Sequence, residues 1–160
     1  MMPRIPLLIA AACALLAGCQ AQPGGAAPSA AEQVARVPLT IQTARGVRRF
    51  MVEIARTEQE QERGLMYRTA LPADGGMIFP MEPPRPATFW MKNTPLPLDM
   101  IFIRADGTIA RIAAETVPYS LDMVESGEPV AAVLEIIGGG AAAAGIEEGD
   151  RVSWPQTAPR

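Results

Sequence analysis

The chain has 160 residues, no histidine, two cysteines and a formal charge of −3. The missing histidine removes the commonest metal ligand and general base, and with it a Cys/His zinc site and any Ser-His-Asp or Cys-His arrangement. Mild acidity without a basic run makes nucleic acid a poor partner, and no residue pattern asks for a metal or a cofactor.

The first residues read as a processing signal. Behind Arg4, Ile5 to Leu16 is apolar apart from Cys13. That is a run of about a dozen residues where a membrane-spanning helix needs roughly 20, so it fits a signal-peptide core. It ends in Leu16-Ala17-Gly18-Cys19, the pattern of a bacterial lipobox. Residues 1–18 are therefore expected to be removed and Cys19 to carry the lipid. Two or more acyl chains, at about 0.8 kcal/mol per buried methylene, hold such a protein at a bilayer. Gln20, in place of an Asp, favours the outer over the inner membrane. The expected location is the cell envelope, on the periplasmic face. Loss of Arg4 leaves 13 basic against 17 acidic side chains, a formal charge of −4. With Cys13 gone and Cys19 acylated, the remaining chain has no disulfide to form.

Residues 19–36 are rich in Ala, Gly, Pro and Ser and read as a flexible tether. A single β-rich domain is expected over residues 37–154, with a tail at 155–160. Val37, Leu39 and Ile41 alternate with polar neighbours, Ala44-Arg45-Gly46 turns the chain, and Phe50, Val52 and Ile54 supply a hairpin partner. Thr57 followed by Glu60 is a capping box for a short helix ending near Gly64. Asp74-Gly75-Gly76 turns into Met77-Ile78-Phe79, and a loop carrying Pro80, Pro83, Pro84 and Pro86 leads to a strand from Thr88 to Met91. Strands from Leu98 to Ile103 and from Thr108 to Ala114 flank the tight turn Asp106-Gly107. Tyr119 to Gly127 reads as a loop and Val130 to Ile137 as a strand. A glycine turn and a short Ala-rich helix follow, and the last strand is Arg151 to Trp154. Seven or eight short strands with one or two short helices predict a mainly β fold, a β-sandwich, jelly roll or barrel-like domain.

Several blocks resemble one family. They are Glu62-Arg63-Gly64-Leu65-Met66-Tyr67-Arg68, Gly76-Met77-Ile78-Phe79, Phe89-Trp90-Met91-Lys92-Asn93-Thr94 with Pro97-Leu98-Asp99, Val133-Leu134-Glu135, and Gly145-Ile146 with Gly149-Asp150. In this order they are similar to the domain of unknown function 192. The resemblance spans about residues 47–152 and implies a compact, mostly β, sandwich-like fold with no assigned activity. The cysteines that such proteins often carry in the loop reading Glu115 to Tyr119 are missing here, so no redox role transfers to it.

The candidate ligand-binding residues are Trp90, Lys92, Asn93, Asp99, Arg63 and Arg68. A strand would put Trp90 and Lys92 on one face, an indole for stacking beside a point charge for a carboxylate or phosphate. Thirteen of the 14 basic residues are Arg, so Lys92 stands alone as the one lysine. Asn93 offers a donor and an acceptor. In the purely structural alternative, Asp99 ties down the Asn93-Thr94-Pro95 turn and Lys92 pairs with Asp99 or Glu135. Arg63 and Arg68 bracket a helix end and suit bidentate capture of an anion, or pairing with Glu60 or Glu62. The leading expectation is a non-enzymatic module that binds a small polar or anionic ligand or an envelope partner. Paired carboxylates among Asp99, Glu135, Glu62 and Asp150 keep a carbohydrate hydrolase open. The stretch from Ala141 to Val152 is similar to a PDZ helix-turn-strand segment and keeps peptide binding open.

Overall fold

The computed structural model describes residues 36–155; the expected signal, Cys19 and most of the tether lie outside the described residues. Seven strands and two short helices follow in the order β1 (Arg36–Thr43), β2 (Gly46–Ile54), α1 (Glu58–Arg63), β3 (Gly75–Phe89), β4 (Leu98–Ile103), β5 (Ile109–Thr116), β6 (Val124–Ile137), α2 (Gly140–Ala144) and β7 (Arg151–Ser153). All seven strands join one sheet in the order β5-β4-β6-β3-β2-β1-β7. The sheet curls until its outer strands meet. Thr108 bridges Arg151, the Ile109 amide donates to the Asp150 carbonyl, and the Gly149 amide donates to that of Ile109. Of the expected β architectures the barrel-like one is found, as a half-barrel closed at one end. The Gly145 to Asp150 stretch serves this closure.

The local signals explain the first elements. Val37, Leu39 and Ile41 of β1 and Phe50, Val52 and Ile54 of β2 bury one face, as period-2 alternation requires. Thr57 caps α1: its hydroxyl accepts the Glu60 amide while the Glu60 carboxylate accepts the Thr57 amide. The apolar face of the curl gathers side chains from all seven strands, among them Ile78, Ile101, Ile109, Leu134 and Val152. A second core sits on the opposite face of β3, β4 and β6, built from Leu65, Met77, Phe79, Met91, Met100, Phe102 and Val133. Strand β4 is buried on both faces because it lies between the two cores.

Two expected boundaries are corrected. The proline-rich segment is not a loop: β3 runs unbroken from Gly75 to Phe89, paired with β6, with register shifts between Pro80 and Arg85 and between Pro86 and Thr88. Strand β2 accompanies β3 only from Gly75 to Ile78. Beyond that the outer edge of β3 has no ladder to complete, and proline, which lacks an amide hydrogen, fits there. For the same reason β6 begins at Val124, inside the stretch read as a loop. Gly76 lets the two strands close up, since a Cβ there would lie 2.4 Å from the Glu135 carbonyl oxygen.

Candidate functional site

The second core is incompletely filled. A cavity of about 660 Å³ opens between α1, the middle of β3 and the 90–94 loop, with β6 beneath. Leu65, Met66, Phe79, Met81, Ala87 and Phe89 give it an apolar wall, and Gln61, Thr88 and Thr94 add uncharged polar groups to the lining. Phe79 and Phe89 meet edge to face at 5.1 Å. The mouth carries Arg63 from α1, Arg85 from β3, and Trp90 and Lys92 from the loop, together with Glu58 and Glu62 of α1.

Glu135 lines the same space. On β6 it alternates with Leu134 and Ile136, which point into the first core, so it shares the face of Val133. Its partners across the ladder are Met77 of β3 and Met100 of β4. The residue is 4% exposed, and burial pushes its carboxyl up to about 8, with no compensating hydrogen bond or charge. No fully enclosed side-chain oxygen or nitrogen lacks a partner among the described residues. Among the described residues the Glu135 carboxyl has no partner, so its oxygens are not fully enclosed, which agrees with its place in the cavity lining.

The expected binding residues divide into two groups. Trp90, Lys92 and Arg63 come together at the mouth. Trp90 and Lys92 follow the end of β3 and do not lie in a strand, a correction to the expected element. They meet all the same, with the Lys92 ammonium 4.8 Å from the indole centroid. A cation over an indole face is attracted by the ring quadrupole. Lys92 pairs with neither Asp99 nor Glu135, and forms no ion pair among the described residues.

Asn93, Arg68 and Asp99 stand away from the cavity lining and hold its frame. Asn93, at φ 56°, donates its amide to the Tyr67 hydroxyl at 2.8 Å, and its carbonyl accepts the Tyr67 amide at 2.8 Å. This staples the segment after α1 to the 90–94 loop. That loop is held from its other side by the Met91 amide, which donates to the Ser120 carbonyl, and by the Thr94 carbonyl, which accepts the Tyr119 amide. Arg68 grips Glu53 of β2 with both terminal guanidinium nitrogens, at 2.8 and 2.6 Å. Burial alone would raise the Glu53 carboxyl, but the hydrogen bonds and charge of Arg68, aided by Arg36, outweigh burial and hold it below the ordinary range. Asp99 is wholly buried and accepts three backbone amides, from Glu115 at 2.8 Å, Gly139 at 3.0 Å and Ala141 at 2.8 Å. It ties down β5 and the start of α2, not the Asn93-Thr94-Pro95 turn. It also caps α2 from a distance, because Gly139 at the N-cap has no side chain to do so.

Arg85 and the Met81–Phe89 wall were missed by sequence reasoning, because the prolines around them read as a loop. The available signal for Glu135 was its place inside the apolar run from Ala131 to Ile137. Among the described residues no group of three His, Cys, Asp or Glu side chains is placed to hold a metal ion.

A curled sheet with an open, cation-rimmed cavity on its outer core defines the class: a small β domain with a preformed small-molecule-sized hollow. The chain belongs to the domain of unknown function 192 family, described as "Uncharacterized ACR", whose model matches residues 39–154. A crystal structure of a protein of unknown function from Novosphingobium aromaticivorans DSM 12444 is 49% identical, with a TM-score of 0.73 over 74% of this chain and 85% of that one. A "putative transcription regulator" from Sinorhizobium meliloti 1021 is 42% identical, with a TM-score of 0.75 over 77% of this chain and 96% of that one. Among curated proteins none matches.

Proposed function

We propose that this protein is an envelope-tethered binding module, held at a membrane through Cys19, that takes a small amphipathic ligand carrying an anionic group. The observation that carries the reading is the charge at the mouth of a hollow with one apolar wall. Three cations, Arg63, Arg85 and Lys92, stand against two carboxylates, Glu58 and Glu62, in a chain whose formal charge is −3. The apolar wall takes the ligand's body, while the guanidinium groups and the ammonium beside Trp90 take its anion.

Titration of the protein with hexanoate and hexyl phosphate, followed by native mass spectrometry and tryptophan fluorescence, tests the binding half. Lys92→Ala and Arg63→Ala are expected to weaken binding about fivefold or more each, in a salt-dependent way. Equal binding of 1-hexanol and hexanoate would remove the role given to the cations. Labelling with radioactive palmitate, lost in Cys19→Ser, tests the anchor.

A second reading rests on Glu135 and Glu62 bordering the same space. A carboxyl kept protonated by burial near a second carboxylate is the pairing used in glycoside hydrolysis. Release of reducing ends from envelope saccharides, abolished by both E62Q and E135Q, would favour catalysis over binding alone.

A further inference from the structure

We infer that the ligand enters with an ammonium group foremost and seats it against Glu135, leaving its anionic end at the mouth. The inference deepens the binding proposed above and rests on it. It adds that the ligand is a zwitterion, an amine at one end of a short apolar body and an acid at the other.

The two ends of the cavity differ in kind. Among the described residues, every cation of the site is at the exposed mouth: Arg63 on α1, Arg85 on β3 and Lys92 on the loop, with Glu58 and Glu62 of α1 the other charged groups lining it. The floor is Glu135, 4% exposed, flanked across the ladder by the apolar Met77 and Met100 and walled by Leu65 and Phe79. None of these four neighbours presents a side-chain N–H or O–H, and of the polar residues that also line the cavity Gln61 donates its amide to the Ala55 and Pro80 carbonyls and the buried Thr94 donates its hydroxyl to the Lys92 carbonyl. A ligand carboxylate driven down there would meet another carboxyl and no cation. A ligand hydroxyl would meet the neutral carboxyl in a hydrogen bond without charge, weaker than a charge-assisted one. An ammonium group supplies up to three donors and a full positive charge, so an ionised Glu135 stays buried as half of a pair. Aromatic and thioether surfaces around it also favour a cation over an anion.

The proton balance follows. Burial keeps Glu135 protonated at neutral pH in the empty site, with its carboxyl at about 8. When the ammonium seats, the pair that forms is ammonium and carboxylate, and the Glu135 proton leaves to solvent. No covalent bond is made or broken. Binding at pH 7 therefore releases about one proton per ligand.

Four probes of one length separate the possibilities on the full chain: 6-aminohexanoate, hexylamine, hexanoate and 1-hexanol. Calorimetry in two buffers of different ionisation heat reads the proton release, and the Glu135 carboxyl carbon shift reads its titration directly. Hexylamine is expected to bind about tenfold or more tightly than 1-hexanol, and 6-aminohexanoate more tightly still. Both amines are expected to release about one proton and to move the Glu135 titration downward. E135Q is expected to abolish the release and to lower amine affinity about tenfold. Hexanoate binding with hexylamine no better than 1-hexanol would overturn the inference and leave the anion-binding reading standing. Amine binding unaltered in E135Q would overturn it too, and no binding of any probe would sink both.

Discussion

Replacing Glu135 by Gln is expected to make the protein more stable at neutral pH, and the size of the gain follows from burial. The ordinary value for this carboxyl is 4.5, and in the folded protein burial raises it to about 8. Between those two values the native state holds a proton that the unfolded chain has already released. Stability is therefore fully present below 4.5 and falls as the pH rises towards 8, by up to about 1.4 kcal/mol per pH unit. At pH 7 the native state has given up about 3 kcal/mol relative to a side chain that never ionises. Gln has the shape of protonated Glu and does not titrate, so Glu135→Gln recovers about that amount at pH 7 and almost nothing at pH 4. For a domain of this size the gain corresponds to a rise in Tm on the order of 10 °C. Thermal and urea melts of both proteins at pH 4.5, 6, 7 and 8 measure it. A gap between them that stays constant with pH, or a variant that melts below the parent at pH 7, would refute the assignment of an unpaired buried carboxyl. The gain coupled to a loss of amine binding is the pattern of a site that keeps a destabilising group for its ligand.

Other substitutions test the frame. Asp99→Ala strands three buried amides and is expected to lose about 3 kcal/mol or more, read as a lower urea midpoint; a loss under 1 kcal/mol would mean that β5 and α2 are held by something else. Glu53→Gln breaks the two-pronged grip of Arg68 and is expected to destabilise by about 2 kcal/mol at pH 7. Because the Glu53 carboxyl is held low, its contribution is present above the ordinary range and lost as the pH falls below it, so parent and variant should converge in acid melts. Gly76→Ala drives a methyl group against the Glu135 carbonyl and is expected to lose about 2 kcal/mol or more while shifting the Glu135 carbonyl resonance. An unchanged spectrum would show that β3 and β6 have room to part.

The fold was legible where local chemistry decides it. The β1–β2 hairpin, the Thr57 cap and the Asp106-Gly107 turn each rest on residues within a few positions of one another, and each appears where expected. The length of β3 was not legible. Proline argues against a central strand, and only the sheet order shows that the segment beyond Ile78 borders no third strand. The same long-range fact extends β6, because Val124 and Glu125 gain partners only if Phe89 and Thr88 are already extended.

The site divides along the same line. Arg63 and Arg68 are equivalent in sequence, five residues apart at the end of one short helix. They part company because Glu53, on a strand 15 residues earlier, takes Arg68, while Arg63 lines the cavity. Asp99 reads as a strand carboxylate open to a ligand until the amides of Glu115, Gly139 and Ala141, 16 to 42 residues later, arrive around it. Glu135 is the reverse case. Its neighbours in sequence are apolar, and what matters is that among the described residues folding brings it no hydrogen-bond donor. Every other buried acid on the described chain, Glu53 and Asp99, is answered by groups of the protein. A carboxyl that the fold buries and leaves unanswered, beside an open cavity, is a place where the answering group comes from outside.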